Sequence, residues 1–178
     1  MFRRFNPALS ILTMTLLLAS VAFTHPAFAQ AQQQSAVAFQ SLDGRTVTTE
    51  SLRGRVVVLA FGASWLPLSK AQLQGVQKLA DEHKGKVEVF WVSTDSLMPK
   101  SRNYASDDQL KQFAQKNNVR LTVLRDPEGA MSKRLGVDQI PAIVLLDRSG
   151  AVSGQPVLGF DPKTDLSVTL GNRIDKLQ

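Results

Sequence analysis

Residues 55–70 read RVVVLAFGASWLPLSK, and the fold is decided by how this stretch divides. Val56 to Phe61 is a continuous apolar run rich in β-branched residues, the pattern of a strand buried on both faces of a mostly parallel sheet. A short loop, Gly62-Ala63-Ser64-Trp65, breaks it, and Pro67 stands where a first helical turn tolerates proline. Leu73, Val76, Leu79 and Ala80 then recur at helical spacing until Gly85. A buried strand thus feeds a helix through a turn that carries Trp65, Leu66 and Leu68 where loops are usually polar.

The same alternation continues on both sides. Upstream, AVAFQSLDGRTVT (36–48) reads as two short strands about a turn at Asp43-Gly44. Downstream, Val87 to Ser93 is a strand, and Ser106 with Gln109 forms a capping box that starts a helix with Leu110, Phe113 and Ala114 inward. Residues 121–124 form a further strand, 128–136 a short helix, and 142–147 another strand closed by Arg148-Ser149-Gly150. A last strand is expected from about Val152 to Leu158, and a last helix capped at Asp161-Pro162 whose Leu166, Leu170, Ile174 and Leu177 form one apolar face. The fold class is α/β, a central mixed β-sheet flanked by helices with an N-terminal β-hairpin.

At the N-terminus Arg3 and Arg4 precede an apolar stretch from Ala8 to Phe23 and an Ala27-Phe28-Ala29 site, which together read as a secretory signal over residues 1–29. The apolar run is short for a bilayer span and is diluted by Thr13, Thr15 and Ser20. Residues 30–35 read as a flexible Gln-rich linker, and 36–178 as one domain. The expected location is exported and periplasmic, with a membrane contact only if the signal stays uncleaved. Loss of the signal removes two cations from the formal net charge of +6, and no basic run exceeds two residues. Nucleic-acid binding, which needs clustered Lys and Arg, is therefore not expected.

The 178 residues contain no cysteine, so thiol chemistry by the chain itself is excluded. Other constellations are equally thin. His83, the one histidine outside the signal, falls in a last helical turn where a cation suits the dipole. Ser69 and Lys70 are adjacent on a helix and do not face each other, which argues against a serine nucleophile with a lysine base. Asp107-Asp108 read as first-turn helix charges, and no set of acids or imidazoles has metal-ligand spacing. No metal, cofactor or catalytic residue is expected.

The order of these landmarks resembles the thioredoxin-like superfamily, especially its exported TlpA-like and redoxin group of thiol-disulfide oxidoreductases. The likeness rests on the LDGRTV hairpin (42–47), the strand VVVLAF, the tryptophan-led turn, Asp126-Pro127-Glu128-Gly129, Leu135-Gly136-Val137, and Ile140-Pro141 before AIVLLDRSG (142–150). It spans residues 36 to 178. The family's W-C-x-x-C motif falls on Trp65-Leu66-Pro67-Leu68-Ser69, so both cysteine positions are lost and this is a degenerate member. In the family the first cysteine, at a helix N-terminus, is a stabilised thiolate, and the second resolves a mixed disulfide. Leu66 has nothing to ionise, and Ser69 forms no disulfide. The buried carboxylate that thioredoxins carry five residues before the tryptophan is Ala60 here.

The resemblance further implies a cis bond at Ile140-Pro141, beside which the family pairs the backbone of an extended substrate chain. Trp65, Leu66, Pro67, Leu68, Ser69, Ile140 and Pro141 are therefore the expected peptide- or protein-binding residues of a redox-inactive adaptor or chaperone-like protein. Three alternatives stay open. Leu66 and Leu68 are core filler; or the protein is an oxidoreductase by descent, active only with partner-supplied cysteines; or it is a structural subunit of an envelope complex with its leucine face buried in an assembly.

Overall fold

The computed structural model describes residues 37–178; the expected signal (1–29) and Gln-rich linker (30–35) lie outside the described residues. Strands β1 (Ala38–Ser41), β2 (Thr46–Thr48), β3 (Val56–Gly62), β4 (Val87–Ser93), β5 (Thr122–Arg125), β6 (Ala142–Leu146) and β7 (Val157–Leu158) form one sheet in the order β2-β1-β5-β4-β3-β6-β7. Helices α1 (Pro67–Glu82), α2 (Asp107–Lys116), α3 (Ala130–Arg134) and α4 (Leu166–Asp175) flank it. β3 runs parallel to β4 and antiparallel to β6, which makes the sheet mixed as expected.

β3 is buried at all seven positions because it is central and both sheet faces are covered. Its alternate residues divide between two cores. Val58 and Ala60 pack with Trp91, Leu73, Val76, Leu110, Leu170 and Ile174, beneath α1, α2 and α4. Val57, Leu59 and Phe61 pack on the other face with Phe39, Phe90, Leu124, Val144 and Leu146. Residues of period two on a strand thus meet residues of period 3.6 on helices, which is what the sequence patterns demand.

Two expected elements are corrected. The stretch from Val152 to Leu158 is not one strand: Val152 makes an isolated bridge to Leu146, and pairing resumes only at Val157–Leu158. Between them Gly154, at φ 69°, turns the backbone, and Pro156 has no N–H to give a ladder. The last helix starts at Leu166, not at Asp161-Pro162. Asp161 closes a local turn, accepting from Lys163 N at 2.9 Å, whereas Asp165 accepts from Ser167 N at 3.0 Å as the true cap. Lys78 Nζ on α1 lies 2.5 Å from Asp165 Oδ2 and holds that carboxyl below its ordinary pKa, so the cap also ties α4 to α1. The Ser106–Gln109 capping box of α2 is present in both directions. His83 is the half-buried C-cap of α1, its N–H bonded to Leu79 O at 3.0 Å.

Candidate functional site

Gly62 and Ser93 are paired at the ends of the parallel neighbours β3 and β4, and Phe61 pairs with Ala142 at the start of β6. Two expected site segments therefore meet at one end of the sheet: the turn after β3 that carries Trp65 to Ser69, and Ile140-Pro141 just before β6. The Ile140–Pro141 peptide bond is cis. Pro141 O accepts from Gly159 N at 2.8 Å, so this carbonyl is occupied.

Within the turn the side chains part ways. Trp65 is 55% and Leu68 43% exposed, so neither side chain is packed in the core. Leu66 is half-buried and Pro67 exposed. Ser69 faces inward: it is fully buried, and its Oγ accepts from Ala63 N at 3.1 Å, bracing the turn from below. Pro141 is buried and Ile140 half-buried against the core. The structure thus brings Trp65, Leu66, Pro67, Leu68 and Ile140 to one end of the sheet with some surface to offer, while Ser69 and Pro141 lie beneath it.

Beside Ile140 runs an open groove of about 650 Å³, lined by Thr94, Ser132, Lys133, Val137, Gln139 and Ile140 among others. Thr94 links this groove to the turn, since its N–H donates to Gly62 O at 2.9 Å. The volume lies within the range of ligand pockets, about 300–1,000 Å³.

What fixes the turn was not read from the sequence. Asp95, 1% exposed, accepts from Ser64 N at 2.9 Å, Ser64 Oγ at 2.8 Å and Ser93 Oγ at 2.8 Å. Ser64 is the residue before Trp65, so a buried carboxylate holds the turn to the end of β4. Behind it lies Arg125, whose guanidinium reaches Ser93 Oγ at 3.4 Å and donates to Ala105 O at 3.0 Å. Burial pushes the Arg125 pKa below its ordinary value, against the opposing pull of Asp107 and Asp95. Asp107 Oδ1 is 3.4 Å from Arg125 Nε, so this first-turn acid of α2 also serves the network. Asp126 accepts from Met131 N at 3.1 Å and Ser132 N at 2.7 Å and so shapes the groove's other wall. The available signal was charge at the ends of otherwise apolar strands: Asp95 after VEVFWVS and Arg125-Asp126 after LTVL.

Chemically, this site offers an uncapped helix N-terminus, apolar side chains and a braced turn. Among the described residues no group of histidine or acidic side chains is placed to hold a metal ion, and no helix is long and apolar enough to cross a membrane.

Comparison with known proteins gives a consistent picture. The model of the AhpC/TSA family matches residues 25–155. The thiol-disulfide oxidoreductase ResA of Bacillus thuringiensis subsp. konkukian is 25% identical over 126 residues, covering 70% of this chain and 67% of that protein. Among solved structures, MTB DsbF, determined in mixed oxidised and reduced forms, aligns with a TM-score of 0.64 at 27% identity, over 82% of this chain and 97% of its own. The exposed lipoprotein thioredoxin Etrx1 of Streptococcus pneumoniae aligns with a TM-score of 0.62 at 26% identity, over 78% and 99%. The fold is thioredoxin-like.

Proposed function

The chain belongs to the AhpC/TSA family, within a thioredoxin-like thiol-disulfide oxidoreductase lineage, and we propose that it binds an extended segment of another protein through the Trp65–Leu68 turn without exchanging disulfides. The observation that carries this reading is what replaces the thiols. Leu66 and Ser69 occupy the cysteine positions in a chain with no cysteine, yet Trp65 and Leu68 remain exposed at the turn. Two large apolar groups exposed on one turn contribute to an apolar patch, the kind of surface that marks an interaction site.

The groove beside Ile140 supports an extended occupant. It has the volume of a ligand site and lies next to the residue before the cis-proline, where the family pairs a substrate backbone. The protein would act as an adaptor or chaperone-like module. The leader-like N-terminus and the exposed lipoprotein among its relatives support an exported, periplasmic setting.

A photo-crosslinking residue at Leu68, with the same probe at the exposed Lys111 and Lys176 as controls, is expected to capture a discrete partner in cells from Leu68 alone. Equal yields from all three positions would overturn the reading.

The lineage favours one second reading, that activity survives with cysteines supplied by a partner. The purified chain is expected to reduce insulin at background rate. The double variant Leu66→Cys/Ser69→Cys is expected to form a disulfide under mild oxidant and to raise that rate above background, because it restores a thiol at the N-terminus of α1. Two thiols that do not pair would overturn the alignment of the turn with the family motif.

A further inference from the structure

Among the described residues the large exposed hydrophobic side chains are Trp65, Leu68, Leu97, Met98, Leu158 and Val168. All but Val168 stand at the end of the sheet that carries the motif turn. Leu158 pairs with Ala142 at the start of β6. Leu97 and Met98, 53% and 69% exposed, lie in the loop that follows β4.

That loop is built rather than slack. Ser96 bridges Tyr104, Ser96 N donates to Asn103 O at 2.8 Å, and Ala105 N returns to Ser96 O at 3.1 Å, so its two ends are clamped. Inside it Ser101 N donates to Met98 O at 2.9 Å. Its base is the same Asp95 that holds Ser64, so one carboxylate stands at the root of both segments, Trp65 one residue beyond Ser64 and Leu97 two residues beyond Asp95.

On the turn and on the loop that carry these tips the exposed charges are cations. From Ala63 to Gln77 the one charge is Lys70, and the first turn of α1 lacks both an acidic residue and a side-chain cap. In the loop from Thr94 to Tyr104 the exposed charges are Lys100 and Arg102, the one acid being the buried Asp95. Across the groove Lys133 and Asp138 offset each other. An apolar face whose turn and loop carry Lys70, Lys100 and Arg102 beside a positive helix end is complementary to carboxylates beside apolar residues.

We infer that the loop of residues 96–104 is the second half of the binding face, and that the protein takes an extended polypeptide segment whose apolar side chains are flanked by Asp or Glu. The inference rests on the reading of the motif turn as a binding face and adds to it a second contact loop and a charge preference. Trp65 and Met98 supply the adaptable apolar contact, and Lys70, Lys100 and Arg102 select the flanks.

The test is a titration of the isotope-labelled protein, followed by amide shifts, with three peptides that share one apolar centre and carry Asp/Glu, Ser or Lys flanks. The acidic-flanked peptide is expected to bind about tenfold more tightly than the serine-flanked one, with a preference that fades as salt is raised. Its shifts should cover both 64–70 and 96–103. The surface variant Lys100→Glu/Arg102→Glu should abolish the preference while leaving the shifts at 64–70.

Shifts confined to 64–70 and Ile140, indifferent to flanking charge, would overturn this inference and leave the motif turn as a binding face. No shift with any peptide would overturn both. Co-sedimentation with phosphatidylglycerol vesicles, lost in the Lys100→Glu/Arg102→Glu variant and unmatched by peptide binding, would overturn it in favour of an anionic membrane surface.

Discussion

Replacing Asp95 with alanine is expected to destabilise the protein by about 3–5 kcal/mol, the usual cost of removing one partner from a buried charged network. The carboxylate accepts three hydrogen bonds, from Ser64 N, Ser64 Oγ and Ser93 Oγ, and the first two are all that tie the residue before Trp65 to β4 in this network. Without it these donors lose their acceptor, and Arg125, 7% exposed, loses one of the two negative charges that offset its burial. That loss is a large share of the roughly 5–15 kcal/mol by which domains are stable. Urea unfolding would show a lower midpoint with an unchanged slope. Asp95→Asn keeps an oxygen that can accept from Ser64 N, so about 1–3 kcal/mol is expected for it. Amide exchange at Ser64 and Trp65 should quicken in both variants, since the turn loses its anchor while the rest of β3 does not. A cost below about 1 kcal/mol for the alanine variant would mean that the network does not hold the turn.

Long-range order was legible in the sequence where one period dominates. VVVLAF is short and β-branched, which marks a strand buried on both faces, and the capping box at Ser106 and the apolar faces of α1 and α2 are local patterns with local causes. The start of α4 was misplaced because Asp161-Pro162 and Asp165 both satisfy local capping rules. In the structure Asp165 is the cap, bonded to Ser167 N and met by Lys78, 87 residues away in sequence. The last strand was overextended because alternating residues around Gly154 and Pro156 do not reveal where the ladder is interrupted.

For the site, the sequence located the turn and the cis-proline through a family pattern, but not the orientation of each side chain. Leu68 and Ser69 are neighbours, yet one is in water and the other fully buried. That difference follows from which face of α1 meets β3: Ser69 lies against Gly62, and Leu68, the neighbouring residue round the helix, does not. Asp95, Ser93 and Arg125 were missed for a related reason. Each looks like an ordinary polar end of a strand, and only parallel pairing of β3, β4 and β5 brings them behind Ser64. The Leu97-Met98 loop, too, takes its meaning from that pairing.

Gly62→Ala is the second large effect expected, at about 2–3 kcal/mol, near the upper end of what one added methyl costs in a packed core. A Cβ at residue 62 would sit 2.9 Å from Ser69 Cβ, 2.8 Å from Ser69 Oγ and 3.1 Å from Trp91 Nε1. The hydroxyl alone could rotate away, but Ser69 Cβ is fixed to the backbone of α1, so relief requires the helix to move off the strand. Moving it also stretches the bond from Ala63 N to Ser69 Oγ, which braces the turn from inside as Asp95 braces it from outside. The clash is checked by a double-mutant cycle with Ser69→Gly, which removes the opposing Cβ at a helix-propensity cost of about 1 kcal/mol and a further cost of about 1–3 kcal/mol for the acceptor that Ala63 N loses. Denaturation midpoints should show the pair less destabilised than the sum of the single variants. Additive costs would mean that the helix already yields at this point. A non-additive result would establish that the strand and helix are in contact with no room between them, so that the first turn of α1, with Leu68 on its outer side, is presented at a fixed height above the sheet.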